Sequence, residues 1–145
     1  MKYSQGVFKP TNPSKLVGNA SPIFRSSWEL RFMHFLDTHP SVVQWASEFI
    51  KIPYKNPLTG KQSLYIPDFL IVYQDKNGNN IGELIEIKPL KETLMENAKS
   101  KRDKAFVIVN TAKWAAAILW SGKNGLKFRV INEDGIFKQN GKRTK

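Results

Sequence analysis

The chain has 145 residues, 41% hydrophobic and 12% aromatic, which fits one domain with an ordinary core and excludes a disordered composition. It contains no cysteine, which excludes disulfides, zinc–thiolate sites and a cysteine nucleophile, and suits a reducing compartment. Lys and Arg number 23 against 12 Asp and Glu, a net charge of +11, which is the balance expected of a domain that binds a polyanion, nucleic acid first.

Residues 1–25 carry Pro10, Pro13 and Pro22 with Gly6 and Gly18, and predict an extended, basic N-terminal arm pinned by Phe8, Leu16, Val17, Ile23 and Phe24. Its start lacks the apolar stretch of a signal peptide. No apolar run reaches the roughly 18 residues that span a bilayer, so a soluble, intracellular protein without a membrane partner is expected. Trp28, Phe32, Phe35 and Leu36 recur at helical spacing and predict a helix over residues 26–37, closed before Pro40. Glu48 to Tyr54 reads as a first strand and Leu64 to Tyr73 as a second, rich in β-formers, with Asn56-Pro57-Leu58-Thr59-Gly60 as the turn between them. Asp75-Lys76-Asn77-Gly78 is a further turn, and Ile81 to Lys88 a third strand stopped by Pro89. Lys91 to Lys104 is helix or loop, and Phe106 to Val109 a short strand or the lead-in to a helix. Asn110 is the expected N-cap of a helix over Thr111 to Lys123, with Gly125 as its stop. Leu126 to Ile131 is the last strand. The order α-β-β-β-α-β predicts an α/β domain over residues 26–137, a mixed sheet flanked by helices. Residues 138–145 are expected to form a basic, flexible tail.

The chemistry gathers on the second and third strands. Side chains alternate along a strand, so Asp68 is expected to share a face with Leu64, Ile66, Leu70 and Val72, and Glu86 and Lys88 to share one with Leu84. A three-residue loop with a type I turn and a left-handed Gly78 sets Asp68 opposite Glu86, whereas a two-residue Asn77-Gly78 turn would put them on opposite faces. The first register brings the two Cβ atoms to about 5 Å, with Lys88 one step along. Two carboxylates so close repel unless a cation lies between them. Hard oxygen donors without a His or Cys cluster suit Mg²⁺, or Mn²⁺, as in phosphodiester hydrolysis. Lys88 is suited to orienting or deprotonating the attacking water, or to neutralising developing charge. The structural alternative makes Asp68 and Glu86 strand-end charges and Lys88 their salt-bridge partner.

Glu29 has two readings as well. Ser26-Ser27-Trp28-Glu29 is a capping box, in which Glu29 reaches back to the Ser26 amide, and the alternative is a catalytic acid. Glu83 is out of phase with Glu86 and reads as structural or solvated. His34 and His39 make no convincing metal site. Of Trp114 and Trp120, at least one is expected in the core, though either could stack on a base. Lys91, Lys99, Lys101, Arg102 and Lys104 form a charge run that is either a solvated face or a phosphate contact, and Arg25 and Lys113 join Lys91, Lys99, Lys101 and Arg102 as candidate DNA-binding residues.

Glu29, Pro67-Asp68 and Glu86-Ile87-Lys88, in that order on α-β-β, resemble the PD-(D/E)xK restriction-endonuclease-like nucleases. A closer resemblance is to the head completion nucleases of T-even-like tailed phages, related to TnsA-type transposon endonucleases. It runs through Gly6-Val7-Phe8-Lys9-Pro10, Arg25-Ser26-Ser27-Trp28-Glu29, Trp45-Ala46-Ser47-Glu48, Ile52-Pro53-Tyr54, Tyr65-Ile66-Pro67-Asp68-Phe69, Asn110-Thr111-Ala112-Lys113-Trp114 and Asn132-Glu133-Asp134. The resemblance covers about residues 6–135. It implies a restriction-endonuclease-like α/β fold and Mg²⁺-dependent cleavage of DNA. Asp68 and Glu86 would be metal ligands, Lys88 the water-activating or charge-stabilising group, and Glu29 a helix-borne acidic partner. It further implies work in phage head completion or DNA packaging before tail attachment, in the host cytoplasm or retained in the virion, with portal, neck or capsid proteins as partners. The competing functions are a non-catalytic virion component that binds DNA or a portal surface, and a TnsA-like transposon or repair nuclease.

Overall fold

The computed structural model describes residues 5–89 and 99–132. Lys91, Glu133-Asp134 and the basic tail 138–145 lie outside the described residues. The elements run β1 (Gly6–Val7), a 3-10 turn (Pro13–Lys15), β2 (Ile23–Phe24), α1 (Ser27–Thr38), β3 (Val42–Ser47), β4 (Ile52–Lys55), β5 (Gln62–Tyr65), β6 (Phe69–Gln74), β7 (Asn80–Ile87), α2 (Lys101–Lys123) and β8 (Lys127–Ile131). This is the predicted α/β arrangement with two more strands between the helices than the sequence pattern separates.

A mixed four-stranded sheet, in the order β3-β6-β7-β8, organises the domain. Strands β3, β6 and β7 are antiparallel neighbours, and β8 lies parallel to β7. A parallel neighbour requires a crossover, and α2 supplies it. On one face of the sheet, α1 buries Phe32, Met33 and Leu36 against Trp45, Phe69, Ile71 and Ile85. On the other, α2 and a separate β4–β5 ribbon enclose Ile52, Tyr54, Tyr65, Leu84 and Ala117. The central strand is therefore covered on both sides, and Glu83 to Ile87 are all buried.

Three expectations about strands change. The first strand, expected at Glu48–Tyr54, begins only at Ile52 as β4, and an unpredicted strand, β3, ends just before Glu48, whose φ of 51° leaves the extended region. A register shift between Val42 and Gln44 disturbs the alternation of β3 and hides it from a period-two reading. The second strand, expected to run unbroken from Leu64 to Tyr73, is also two, because Pro67 has no N–H for the ladder and the chain changes partners there. Asp68 consequently does not share a face with Leu64 and Ile66, which point outward from the ribbon.

Helix α2 differs too. It begins at Lys101, not Thr111, and its N-cap is Ser100, whose hydroxyl accepts from the Asp103 amide at 3.0 Å. Asn110 is buried mid-helix, where a cap signal at a Ser-x-x-Asp start outcompetes it. Gly125, at φ 70°, follows the C-terminus as predicted. By length and mean hydropathy α2 is long and apolar enough to cross a bilayer, contrary to the expectation that no such stretch exists. Asn110, Lys113 and Ser121 interrupt the apolar run in sequence, and its Ala117 side packs in the second core.

The arm is fixed by a buried acid that the sequence reading did not single out. Asp37, 1% exposed, accepts from the Thr11 and Asn12 amides at 2.8 and 3.0 Å. Lys15 donates to the Asp37 and His39 carbonyls at the end of α1. Phe8 is buried, and Leu16 and Phe24 pack on the same core, whereas Ile23 is exposed and contributes its backbone to the β1–β2 pair. Replacing Asp37 by Ala leaves two partly buried amides without their acceptor and should cost about 3 kcal/mol. Chemical denaturation measures that loss, and proteolysis near Thr11 should accelerate with it.

Candidate active site

Pro67 stops the ribbon and Asp68 immediately precedes β6, so this carboxylate sits just beyond the end of the backbone ladder. Its Oδ2 accepts from the Ile87 amide at 2.8 Å, satisfying a β7 donor that lies beyond the end of the β6 ladder. The Asp68 carbonyl accepts from Glu48 at 3.0 Å, which ties the left-handed corner after β3 to the same residue. Phe69 faces Ile85 and Leu70 faces Leu84, the register centred on Asn77 that also sets Asp68 opposite Glu86. The Asp75–Gly78 loop closes with Gly78 at φ 82° and an Asp75 carbonyl to Gly78 amide bond of 3.0 Å, as the three-residue loop requires.

Glu86 is buried on the α2 face of β7. Tyr65, from the ribbon, donates its hydroxyl to Glu86 Oε1 at 2.8 Å, and Lys88 Nζ stands 3.8 Å from Glu86 Oε2. Lys113, one of the candidate DNA contacts, projects from the middle of α2 and lies 5.7 Å from the centre of the Tyr65 ring. Burial, then the charge of Lys88, lowers the pKa of Lys113. Burial raises the Asp68 carboxyl well above its ordinary range, and the negative charge of Glu86 adds to that. Burial also raises Glu86, against the opposing pull of Lys88 and the Tyr65 hydroxyl. Tyr65 is pushed upward by burial and by Glu86, so it remains a donor.

Glu29 stands at the head of α1. Its amide donates to the Ser26 hydroxyl oxygen at 3.1 Å, but its own Oε1 accepts from the Arg25 amide at 2.8 Å, not from Ser26. The capping box is thus displaced by one residue, because the chain bends into β2 immediately before the cap. Burial raises Glu29, and its charge is felt by Asp68 and Lys88. Among the described residues, no group of three or more His, Asp or Glu side chains gathers closely enough to hold an ion. Asp68 and Glu86 are the two neighbouring carboxylates that could hold one, each with one oxygen already bonded to protein. An all-oxygen pair fits a hard cation that keeps much of its water, as Mg²⁺ does.

The other sites expected from sequence fall elsewhere. Arg25 pairs with Glu48. Lys99, Lys101 and Arg102 are exposed at the head of α2, with Arg102 over the Phe106 ring, and twelve residues of helix put Lys101 about 18 Å from Lys113. Glu83 is buried on the α1 face and pairs with Arg129 at 3.0 Å, the structural role its phase suggests. Trp114 and Trp120 both pack on the second core. A cavity of about 490 Å³ lined by Phe32, Phe35, His39, Tyr73 and Arg129 opens at the far end of α1 and β6 and includes none of the site carboxylates. Tyr65 is the site residue that sequence reasoning missed. Its only signal was an inward phase on a strand leading into Pro67-Asp68.

Residues 39–133 match the family described as TnsA-like endonuclease N terminal. The chain is also 39% identical to the head completion nuclease of Enterobacteria phage T4 over 147 aligned residues, which cover 94% of this chain and 95% of that protein. Asp68, Glu86, Lys88 and Lys113 lie inside the family match, and Glu29 lies before it.

The raised carboxyls have a consequence for stability. Asp68 and Glu86 bind their protons more tightly folded than unfolded, so folding takes up protons. Without a cation, their contribution weakens stability as pH rises from near 4 through the raised values. The melting temperature of Asp68→Asn minus that of the wild type, measured in EDTA, should therefore grow between about pH 5 and pH 7.5. A difference that is flat or shrinks would contradict the electrostatic description.

Proposed function

As a member of the TnsA-like endonuclease family this chain is a nuclease, and we propose that it hydrolyses DNA phosphodiester bonds with Mg²⁺ in the completion of a phage head. The observation that carries the reading is half-buried Asp68 beside buried Glu86, with Lys88 next to them, on adjoining segments of the sheet. A pure DNA-binding component would gain nothing from two carboxylates facing a polyanion.

Asp68 and Glu86 are assigned as the metal-holding residues. When bound there, Mg²⁺ or Mn²⁺ would polarise the phosphate and lower the pKa of an attacking water. Lys88 offers three N–H donors beside Glu86, suited to holding that water and meeting charge that develops on the phosphoryl oxygens. Tyr65 fixes the Glu86 carboxylate through its hydroxyl, and Lys113 adds a second cation close by. Glu29 adds a helix-borne negative charge to the same field.

The near full-length similarity to the T4 protein supports a role in head completion, which we read as work on DNA in the host cytoplasm during assembly, beside portal, neck or capsid proteins. Supercoiled plasmid should be nicked with Mg²⁺ and left intact with EDTA. Asp68→Ala and Lys88→Ala should each reduce cleavage on the order of 10²-fold or more while the circular dichroism spectrum is kept. Wild-type rates in either variant would remove that residue from the mechanism. Tyr65→Phe, which keeps the ring and loses the donor, should lower the rate about 10–100-fold.

A further inference from the structure

The β4–β5 ribbon shows a strict two-sided pattern. Ile52, Tyr54 and Tyr65 face inward and are buried against the α2 layer. The outward side carries Lys51, Lys55 and Leu64, all exposed, and Ile66 continues it toward Pro67. Leu58 at the tip, Leu64 and Ile66 are 54%, 59% and 40% exposed, apolar surface that no described residue covers. Lys61, exposed just before β5, has the phase of Ser63 and Tyr65 and stands at the ribbon's margin, not on its outward side. Between Glu48 and Asp68 the sequence contains three lysines and no acidic residue. Ile66 is two residues from Asp68, about 7 Å along an extended chain, so the ribbon borders the site although Asp68 and Glu86 lie toward its inward side.

We propose that the outer face of this ribbon is the surface that receives duplex DNA, with Lys51 and Lys55 on phosphates, Lys61 reaching a phosphate from the ribbon's margin, and Leu64 and Ile66 against sugars and base edges in a groove. The inference deepens the nuclease reading and rests on it for the identity of the duplex as substrate. A two-stranded ribbon has the width of a DNA groove, and apolar side chains beside lysines are what groove contact requires. An uncompensated basic surface releases counterions on binding DNA. It also places the DNA contact away from Lys99, Lys101 and Arg102 at the head of α2. Lysines on a ribbon also guard its edges against pairing with other chains, a role that makes no demand on DNA affinity.

Fluorescence anisotropy of a labelled DNA duplex tests the proposal, with every protein carrying Asp68→Asn and EDTA present so that nothing is cleaved. Adding Lys51→Ala, Lys55→Ala and Lys61→Ala together should reduce the slope of log affinity against log salt by about 2.7, with an affinity loss on the order of 100-fold near 0.1 M salt. A slope and affinity equal to those of the parent overturn the proposal. Leu64→Ser with Ile66→Ser should weaken binding several-fold at unchanged slope, and unchanged affinity there overturns the groove contact. All five side chains are exposed, so thermal melting should match the parent. Plasmid cleavage by the Asp68-containing chain is measured in parallel. No cleavage with binding still sensitive to the lysines would sink the nuclease reading and keep the ribbon. Normal cleavage with binding insensitive to them would do the reverse.

Discussion

Two carboxyl groups held side by side, where water cannot fully hydrate either, set the terms for the rest of this structure. Asp68 and Glu86 repel when both are ionised, and burial makes that repulsion stronger than it would be at a surface. The surroundings answer with donors and cations. The Ile87 amide and the Tyr65 hydroxyl each take one carboxylate oxygen, Lys88 lies beside Glu86, and Lys113 reaches the same region from α2. The site is arranged for positive charge, which is the basis of the proposal that a hydrated divalent ion sits there and acts on a phosphate.

The fold serves this arrangement through its discontinuities more than through its regular elements. Pro67 ends the ribbon and moves the chain to a new pair of neighbours, and an amide of β7 beyond the end of the β6 ladder donates to the Asp68 carboxylate. Glu48, held at positive φ, makes the corner that brings β3 against Asp68. The parallel pairing of β8 with β7 forces a long crossover, and that crossover is the helix that carries Lys113 over the site. Asp37 works at the other end of α1, where it binds the N-terminal arm to the helix whose head carries Glu29.

Much of the site could be read from residue order. Asp68, Glu86 and Lys88 lie on β segments separated by a turn whose Gly78 selects one register, and the ladder has that register. Helix α1 was evident because its apolar residues keep a single period and its Ser26 cap is unobstructed. Strand β3 was hidden because a shift in its register breaks the alternation. The start of α2 was misplaced because Asn110 looks like a cap when its burial is unknown. Asp37 and Tyr65 gave almost no local signal, since their partners are 26 and 21 residues away in the chain.

The amino-acid sequence alone therefore determined the identity of the charged groups, their order on the strands and, through one turn, the register that aligns two of them. These depend on interactions between residues close in the chain. Tertiary structure decided which groups stand beside that pair. Tyr65 reaches Glu86 because the ribbon folds over the α2 face, Lys113 does so because a crossover returns there, and Glu29 remains at the head of its helix, bonded to Arg25. Such contacts are fixed by how layers pack, and packing follows from the whole set of buried side chains and not from any one stretch of sequence.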